Sequence, residues 1–200
     1  MTMKKGENFN HPKSGAEIKV ESIRSTKDIA SIKKLLSDRP RDYCIFVLGI
    51  NTNLRASDLL QIRAGQVRSL KPMGEIELRE KKTGKRRRIS LNKTCTDAIK
   101  RLLTSRDYGD DESLFCGRSG QPLTVPSINR LVKEWCSAIN LSGNFGSHSL
   151  RKSFGYHQRV TFGRGVAELM VVFNHSSERQ TLDYLCVQPA EVKSIYANEL

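Results

Sequence analysis

Aromatic residues supply only 6% of the chain, and no apolar run approaches the roughly 18 residues a membrane-spanning helix needs. The longest such run, Tyr43 to Ile50, holds eight residues and is interrupted by Gly49. The opening stretch, Met1 to Val20, has early lysines but no apolar block behind them, so it does not read as a secretory signal. Five cysteines, an odd number without a C-x-x-C pair, speak against a disulfide framework and against a thiolate zinc site. Cys44, Cys95, Cys136 and Cys186 sit among apolar neighbours, where a free cysteine behaves as a small hydrophobe. There is no G-x-x-x-x-G-K-[ST] phosphate loop and no carboxylate cluster of the kind that holds paired magnesium ions. These absences exclude whole classes and leave a soluble chain of a reducing, cytoplasmic setting with no cofactor or metal.

What the chain has in excess is positive charge. Thirty-four Lys and Arg stand against 21 Asp and Glu, a formal net charge of +13. Such an excess says nothing about fold but points to phosphates as partners: DNA, RNA or an anionic membrane surface, the last weakened by the missing apolar runs. Two hundred residues, 38% of them apolar, suffice for one domain with a real core.

Met1 to about Arg24 is polar, basic and patternless and reads as a flexible arm. From Ser25 the pattern becomes helical. Thr26 can cap a helix bearing Ile29, Ile32, Leu35 and Leu36 on one face, with Pro40 as its stop. Asp42 to Asn51 predicts a buried helix broken at Asn53, and Arg55 to Ile62 another short one. Alternation at Glu75 to Leu78 and Arg88 to Leu91, with Thr83-Gly84 between, predicts a β-hairpin. Helices resume through Cys95 to Leu103, then from Thr124-Val125-Pro126 to Ile139, with Pro126 in the first turn. After the Gly-rich loop Ser142 to Ser147 come His148 to about Thr161, Val166 to Phe173, Gln180 to Leu185 and Val192 to Asn198. The expectation is one mostly α domain, 25–200, with a small antiparallel β-sheet (α+β).

Five short motifs follow one another: Asn53-Leu54-Arg55-Ala56-Ser57-Asp58, Lys82-Thr83-Gly84-Lys85 in the hairpin, His148-Ser149-Leu150-Arg151, Asn174-His175-Ser176-Ser177, and Tyr184, nine residues after His175. Singly each is weak; in this order they resemble the catalytic signature of the tyrosine recombinase (phage integrase) family, from about Ser25 onward. Where family members commonly have glycine before the Leu-Arg of the first block and before the second histidine, this chain has Asn53 and Asn174. Asparagine tolerates left-handed backbone, so both turns are expected to survive.

The chemistry such an enzyme performs explains the residue types. Attack of a phenol on a DNA phosphate builds negative charge on the non-bridging oxygens, and a rigid donor aimed there contributes about 3–4 kcal/mol. The resemblance implies Arg55 and Arg151 as a guanidinium clamp and Tyr184 as the nucleophile of a 3′-phosphotyrosyl link. It further implies Lys82 as general acid for the leaving 5′ hydroxyl, His148 as proton-transfer partner, His175 as phosphate donor and Asp58 as the residue orienting Arg55. Phenol and lysine have reference pKa values of about 10 and 10.4, so neighbouring cations must tune both. The covalent bond conserves the energy of the broken phosphodiester, which removes any need for ATP.

Each residue also has a plainer reading. Tyr184 could pack under a terminal helix, His148 could cap a helix, and Arg55 with Asp58 could be an i,i+3 surface pair. His11 and His157 read as structural or solvent-facing. Arg79 to Arg88 holds seven basic residues and one acidic, a solvated hairpin or phosphate grip, in which Lys81 and Lys85 compete with Lys82 for the acid's role. Lys81, Lys85, Arg86, Arg87, Arg88 and Lys152 are the candidate DNA contacts.

The resemblance implies a three-stranded sheet edge, double-stranded DNA as partner, a dimer on a core site, a tetramer at synapsis, and accessory DNA-bending proteins in some systems. Val192, Ile195 and Tyr196 would lie on a helix docking into a neighbouring subunit. Only about two dozen residues precede the first helix, so the chain is either a minimal member, comparable in size to the fimbrial phase-variation invertases, or part of a longer protein. The rival readings are a non-catalytic DNA-binding regulator on the same fold and a relaxing type IB topoisomerase, which shares the chemistry.

Overall fold

The computed structural model describes residues 20–185 together with Lys193, Tyr196 and Ala197. Apart from those three residues, the terminal helix expected at Val192 to Asn198 lies outside the described residues, as does most of the expected arm.

Helix α1 (Thr26–Leu35) is capped by Ser25, one residue before the cap expected at Thr26: the Ser25 hydroxyl accepts the Asp28 amide. Pro40 does not act as the stop for α1. It occupies the first turn of α2 (Pro40–Asn51), where its missing N–H leaves no intrahelical bond unmade. Cys44 through Leu48 of α2 are wholly inaccessible to solvent, which makes this helix the centre of the core. It packs against α5 (Lys93–Leu103) and α7 (Ser147–Val160). Around it lie the single-turn helices α3 (Ala56–Leu59) and α4 (Ala64–Val67), and α6 (Val125–Ala138), which Thr124 caps. Helix α4 is one turn long and leaves no periodic signal.

Strands β1 (Glu75–Arg79) and β2 (Arg86–Ser90) pair antiparallel in the expected hairpin, Ile76 opposite Ile89 and Leu78 opposite Arg87. Among the described residues the sheet has two strands where three were expected. A short extended segment pairs locally instead, Cys116 with Pro122.

The main core runs from Ile23 to Leu150, and a second, small cluster of Phe154, Leu169, Phe173 and Leu185 lies under α7, α8 (Val166–Phe173) and α9 (Glu178–Leu185). The packed chain begins ahead of Ser25: Ile23 is buried, its amide donates to Ser153 Oγ (2.7 Å), and its carbonyl contacts His157 Nε2 (3.0 Å). Ile23, expected in the arm, thus packs into the core, and His157 lies against its carbonyl. No helix among the described residues is long and apolar enough to cross a membrane.

Candidate active site

Two left-handed asparagines set the site's backbone. Asn53 (φ 55°) ends the α2 turn and delivers Arg55 at the head of α3; Asn174 (φ 55°, ψ 40°) ends α8 and turns the chain toward His175. At the second turn the His175 amide reaches back to Met170 O (3.1 Å) and the Asn174 amide to Val171 O (2.9 Å), closing the helix end. The two glycine-to-asparagine departures are therefore tolerated for the reason the sequence suggested. Gly155 matters for a different reason. A Cβ there would lie 2.9 Å from the Phe173 ring and 3.0 Å from Tyr184 O, so its absence lets α9 seat against α7.

One cleft of about 500 Å3 is lined by Arg55, Lys82, Lys85, His148, His175 and Tyr184, with Ser57 and Thr83 beside them. These residues come from α3, the hairpin turn, α7, the α8–α9 turn and α9, so a single face gathers positions up to 129 residues apart in sequence. Lys81 is not among the lining residues, which narrows its competition with Lys82 to Lys85. Among the described residues no group of three or more His, Cys, Asp or Glu is arranged to hold a metal ion.

Arg151 lies beneath this cleft rather than in its wall, 1% exposed. Its Nη1 donates to Asn53 O (2.7 Å) and its Nη2 to Phe173 O (3.0 Å), while Nε is buried without a partner. The guanidinium carbon sits 4.9 Å from the Phe173 ring centre and 5.2 Å from that of Tyr184, so the tyrosine covers its face. Burial, with Arg55 and Arg87 nearby, pulls its pKa down to about 9, which leaves it charged at neutral pH. Of the two arginines expected to form the clamp, Arg55 lines the cleft and Arg151 is buried beneath the tyrosine.

His175 is held from both ring nitrogens. Nε2 is 3.3 Å from Arg151 Nη2, and Nδ1 is 3.0 Å from Thr181 Oγ1. Arginine can only donate, so Nε2 accepts and the proton sits on Nδ1. Burial, then the charges of Arg151 and Arg55, lower its pKa to about 4. Neutral and with Nε2 against Arg151 Nη2, His175 joins the buried arginine to the cleft wall. His148 stays open to solvent on one side. The protein packed round its other sides, and then Arg151, Arg55, Lys152 and Lys82, shift its pKa below the usual histidine value.

Asp58 is fully buried behind Arg55, as expected, with Oδ2 3.7 Å from Arg55 Nη1. Its Oδ1 accepts the Lys81 amide (2.9 Å) and so also holds one end of the hairpin turn. Closer to Arg55 is a residue that sequence reading passed over. Glu80 is 1% exposed, and its Oε2 lies 2.9 Å from Arg55 Nη1 and accepts the Thr83 hydroxyl (2.7 Å). Its Oε1 is 3.4 Å from Arg87 Nη1. Burial works to raise the Glu80 pKa, but Thr83, Arg55 and Arg87 together hold it below the usual carboxylate value. The available signal was the strand alternation: Ile76 and Leu78 point inward, and the same parity carries Glu80 inward.

The candidate DNA contacts divide. Lys81, Lys85, Arg86 and Arg88 are exposed and Lys152 half-buried, but Arg87 is 8% exposed. Arg87 donates to Val172 O (2.7 Å) and Asn53 O (3.3 Å), which removes it from the surface set. Inward parity on β2, shared with Ile89, is the cause.

Comparison with known proteins agrees with this geometry. Residues 23–191 match the phage integrase family model. The chain is 33% identical over 181 residues to the probable integrase/recombinase YoeC of Bacillus subtilis (strain 168), covering 88% of this chain and 95% of that one. It is 27% identical to the tyrosine recombinase XerC of Caldanaerobacter subterraneus subsp. tengcongensis, covering 80% of this chain but 47% of the relative, so it spans about half of that protein. Two solved structures share the fold. The XerA recombinase has a TM-score of 0.73 at 18% identity, over 92% of this chain and 66% of its own. The XerH site-specific recombinase, bound to a palindromic difH substrate in a post-cleavage complex, has a TM-score of 0.74 at 17% identity, over 91% and 54%. With the family model spanning the whole cleft from Arg55 to Tyr184, the chain belongs to the phage integrase family, the tyrosine recombinases.

Proposed function

We propose that this chain cuts and rejoins double-stranded DNA at specific sites through a 3′-phosphotyrosyl intermediate on Tyr184. The observation that carries the proposal is the shared cleft, in which Arg55, Lys82, His148 and Tyr184 face one another above the buried charge of Arg151.

A backbone phosphate enters between Arg55 and the plane of Arg151, and the Tyr184 ring lifts off that plane to face the phosphorus. Tyr184 Oη attacks, its proton leaving toward His148, whose neutral form is favoured by burial and the surrounding cations. The P–O5′ bond breaks and Lys82 delivers a proton to the departing 5′ oxygen. Arg55 donates to the non-bridging oxygens, while Arg151 stabilises their charge from below with His175 fixing its orientation. Asp58 keeps Arg55 aimed. Reversal with a different 5′ hydroxyl completes strand exchange. Lys81, Lys85, Arg86, Arg88 and Lys152 grip flanking phosphates, so log affinity falls with log salt by about 0.9 per phosphate neutralised. The DNA partner is read by copies of this chain acting together, a dimer on each core site and a tetramer at synapsis, with accessory DNA-bending proteins where the site requires them.

The test uses nicked duplexes taken from a randomised pool by selection for binding. The wild type is expected to form a covalent DNA–protein adduct, and Tyr184→Phe to bind equally and form none. An undiminished adduct from Tyr184→Phe removes that residue from its role. A second reading, a non-catalytic DNA-binding regulator on this fold, draws on the burial of Arg151 and the occupation of both its Nη atoms; binding by the wild type without any adduct favours it.

A further inference from the structure

We infer that Glu80 is a positioning residue that locks the Lys82 turn and Arg55 into one unit through a shared carboxylate oxygen. The inference rests on the cleavage reading above and adds to it a residue outside the catalytic set.

The turn is anchored on both sides of Lys82. On one side the Lys81 amide donates to Asp58 Oδ1 (2.9 Å); on the other the Thr83 hydroxyl donates to Glu80 Oε2 (2.7 Å). Both receiving carboxylates also face Arg55 Nη1, at 3.7 Å for Asp58 and 2.9 Å for Glu80. Glu80 Oε2 is therefore the single atom at which the turn and the arginine meet. The backbone of Glu80 tightens the same turn, its amide donating to Lys85 O (2.9 Å) and its carbonyl accepting from Gly84 N (2.8 Å).

The pattern exceeds what stability asks of this position. Arg87, the other partner of Glu80, already donates to two backbone carbonyls, and Arg55 already has Asp58 behind it. A carboxylate shut away from water costs several kcal/mol unless it is well paired, and an apolar residue would continue the inward row of Ile76 and Leu78. What the carboxylate supplies is a fixed offset between a long flexible lysine and a guanidinium. A lysine on an unanchored turn samples many positions, and misplacing a reacting group by about 1 Å costs on the order of a hundredfold in rate.

Thr83 is exposed, so its substitution leaves the core intact and isolates the turn's arm of the junction. Thr83→Val is expected to slow adduct formation about tenfold with DNA affinity changed by less than about threefold, and Thr83→Ser to restore the rate. On a duplex whose leaving 5′ oxygen is replaced by sulfur, the departing thiolate needs no proton, and the Thr83→Val loss should shrink to under about threefold. Glu80→Gln keeps the volume but frees both arms, and is expected to lose about a hundredfold on oxygen and to remain slow on sulfur. Thr83→Val cleaving at the wild-type rate on oxygen, or losing as much on sulfur as on oxygen, overturns the inference. Lys82→Ala, run in parallel, separates it from the cleavage reading. If sulfur does not recover Lys82→Ala, the general-acid assignment fails; if it does and Thr83→Val stays slow, only the junction fails. A wild type that forms no adduct on either duplex overturns both.

Discussion

Two faces of the hairpin strand β2 present the same side chain to opposite surroundings. On the outer face Arg86 and Arg88 extend into solvent, each near the exposed Glu77, at 3.5 and 3.3 Å. On the inner face Arg87, between them in sequence, is enclosed by Glu80 and the carbonyls of Asn53 and Val172. The outer pair is screened by water and salt and contributes little to stability, leaving those charges available for phosphate. The inner arginine has no exit: its acceptors belong to the turn before Arg55 and the end of α8, so it ties the hairpin to both loops that carry cleft residues. Asn53 O receives Arg87 and Arg151 together, which makes one carbonyl the meeting point of the two buried guanidiniums. A count of basic residues measures affinity for phosphate only after the inward ones are subtracted.

The sharpest way to break this comparison is to truncate each arginine of the strand in turn. Arg87→Ala should destabilise the fold by about 3–5 kcal/mol, because Glu80 and two carbonyls lose their buried donor. Urea unfolding measures it; a cost as small as that of an outer arginine would erase the distinction between the faces. Next in size is the backbone on which the inner network hangs. Asn174→Ala places a Cβ-bearing residue without asparagine's local hydrogen bonding at φ 55° and should cost about 1–2 kcal/mol, whereas Asn174→Gly should be near neutral.

A smaller effect lies in the pH dependence. His175 has its folded pKa lowered to about 4 from 6.5, so between these values the unfolded chain binds more protons than the folded one. Stability then rises with pH across that window and is lost as pH falls from about 6.5 toward about 4. In His175→Asn the urea midpoint should depend less on pH over that range, and an unchanged slope would assign the effect to other groups. Smallest for the fold are the outer residues. Arg86→Ala and Arg88→Ala should change stability by less than about 0.5 kcal/mol. Each should nevertheless reduce the slope of log affinity against log salt by about 0.9 if it contacts a phosphate.

Much of the scaffold was legible because its signals are local. The proline in the first turn of α6, the apolar run of α2 and the hairpin turn at Thr83-Gly84 each act over a few residues, and each produced the element it implied. Pro40 was misread because a proline marks either the end of one helix or the first turn of the next. Of the candidate site, Arg55, Lys82, His148, His175 and Tyr184 were found through motif order, and the structure gathers them at one cleft. Glu80 was passed over and Arg87 was placed among the DNA contacts, although strand parity held the clue. In a run of charged residues the eye reads solvent, and the inward direction of every second one is easily lost.

The sequence alone determined the balance of charge, the helical periods, the hairpin and the two asparagine turns, since these depend on composition and on contacts between near neighbours. Tertiary structure alone decided which charges remain in water. Whether an arginine becomes a phosphate donor or a buried strut depends on which carbonyls and carboxylates arrive from elsewhere in the chain. For Arg87 and Arg151 the shared acceptor at Asn53 lies 34 and 98 residues away, beyond the reach of any local pattern.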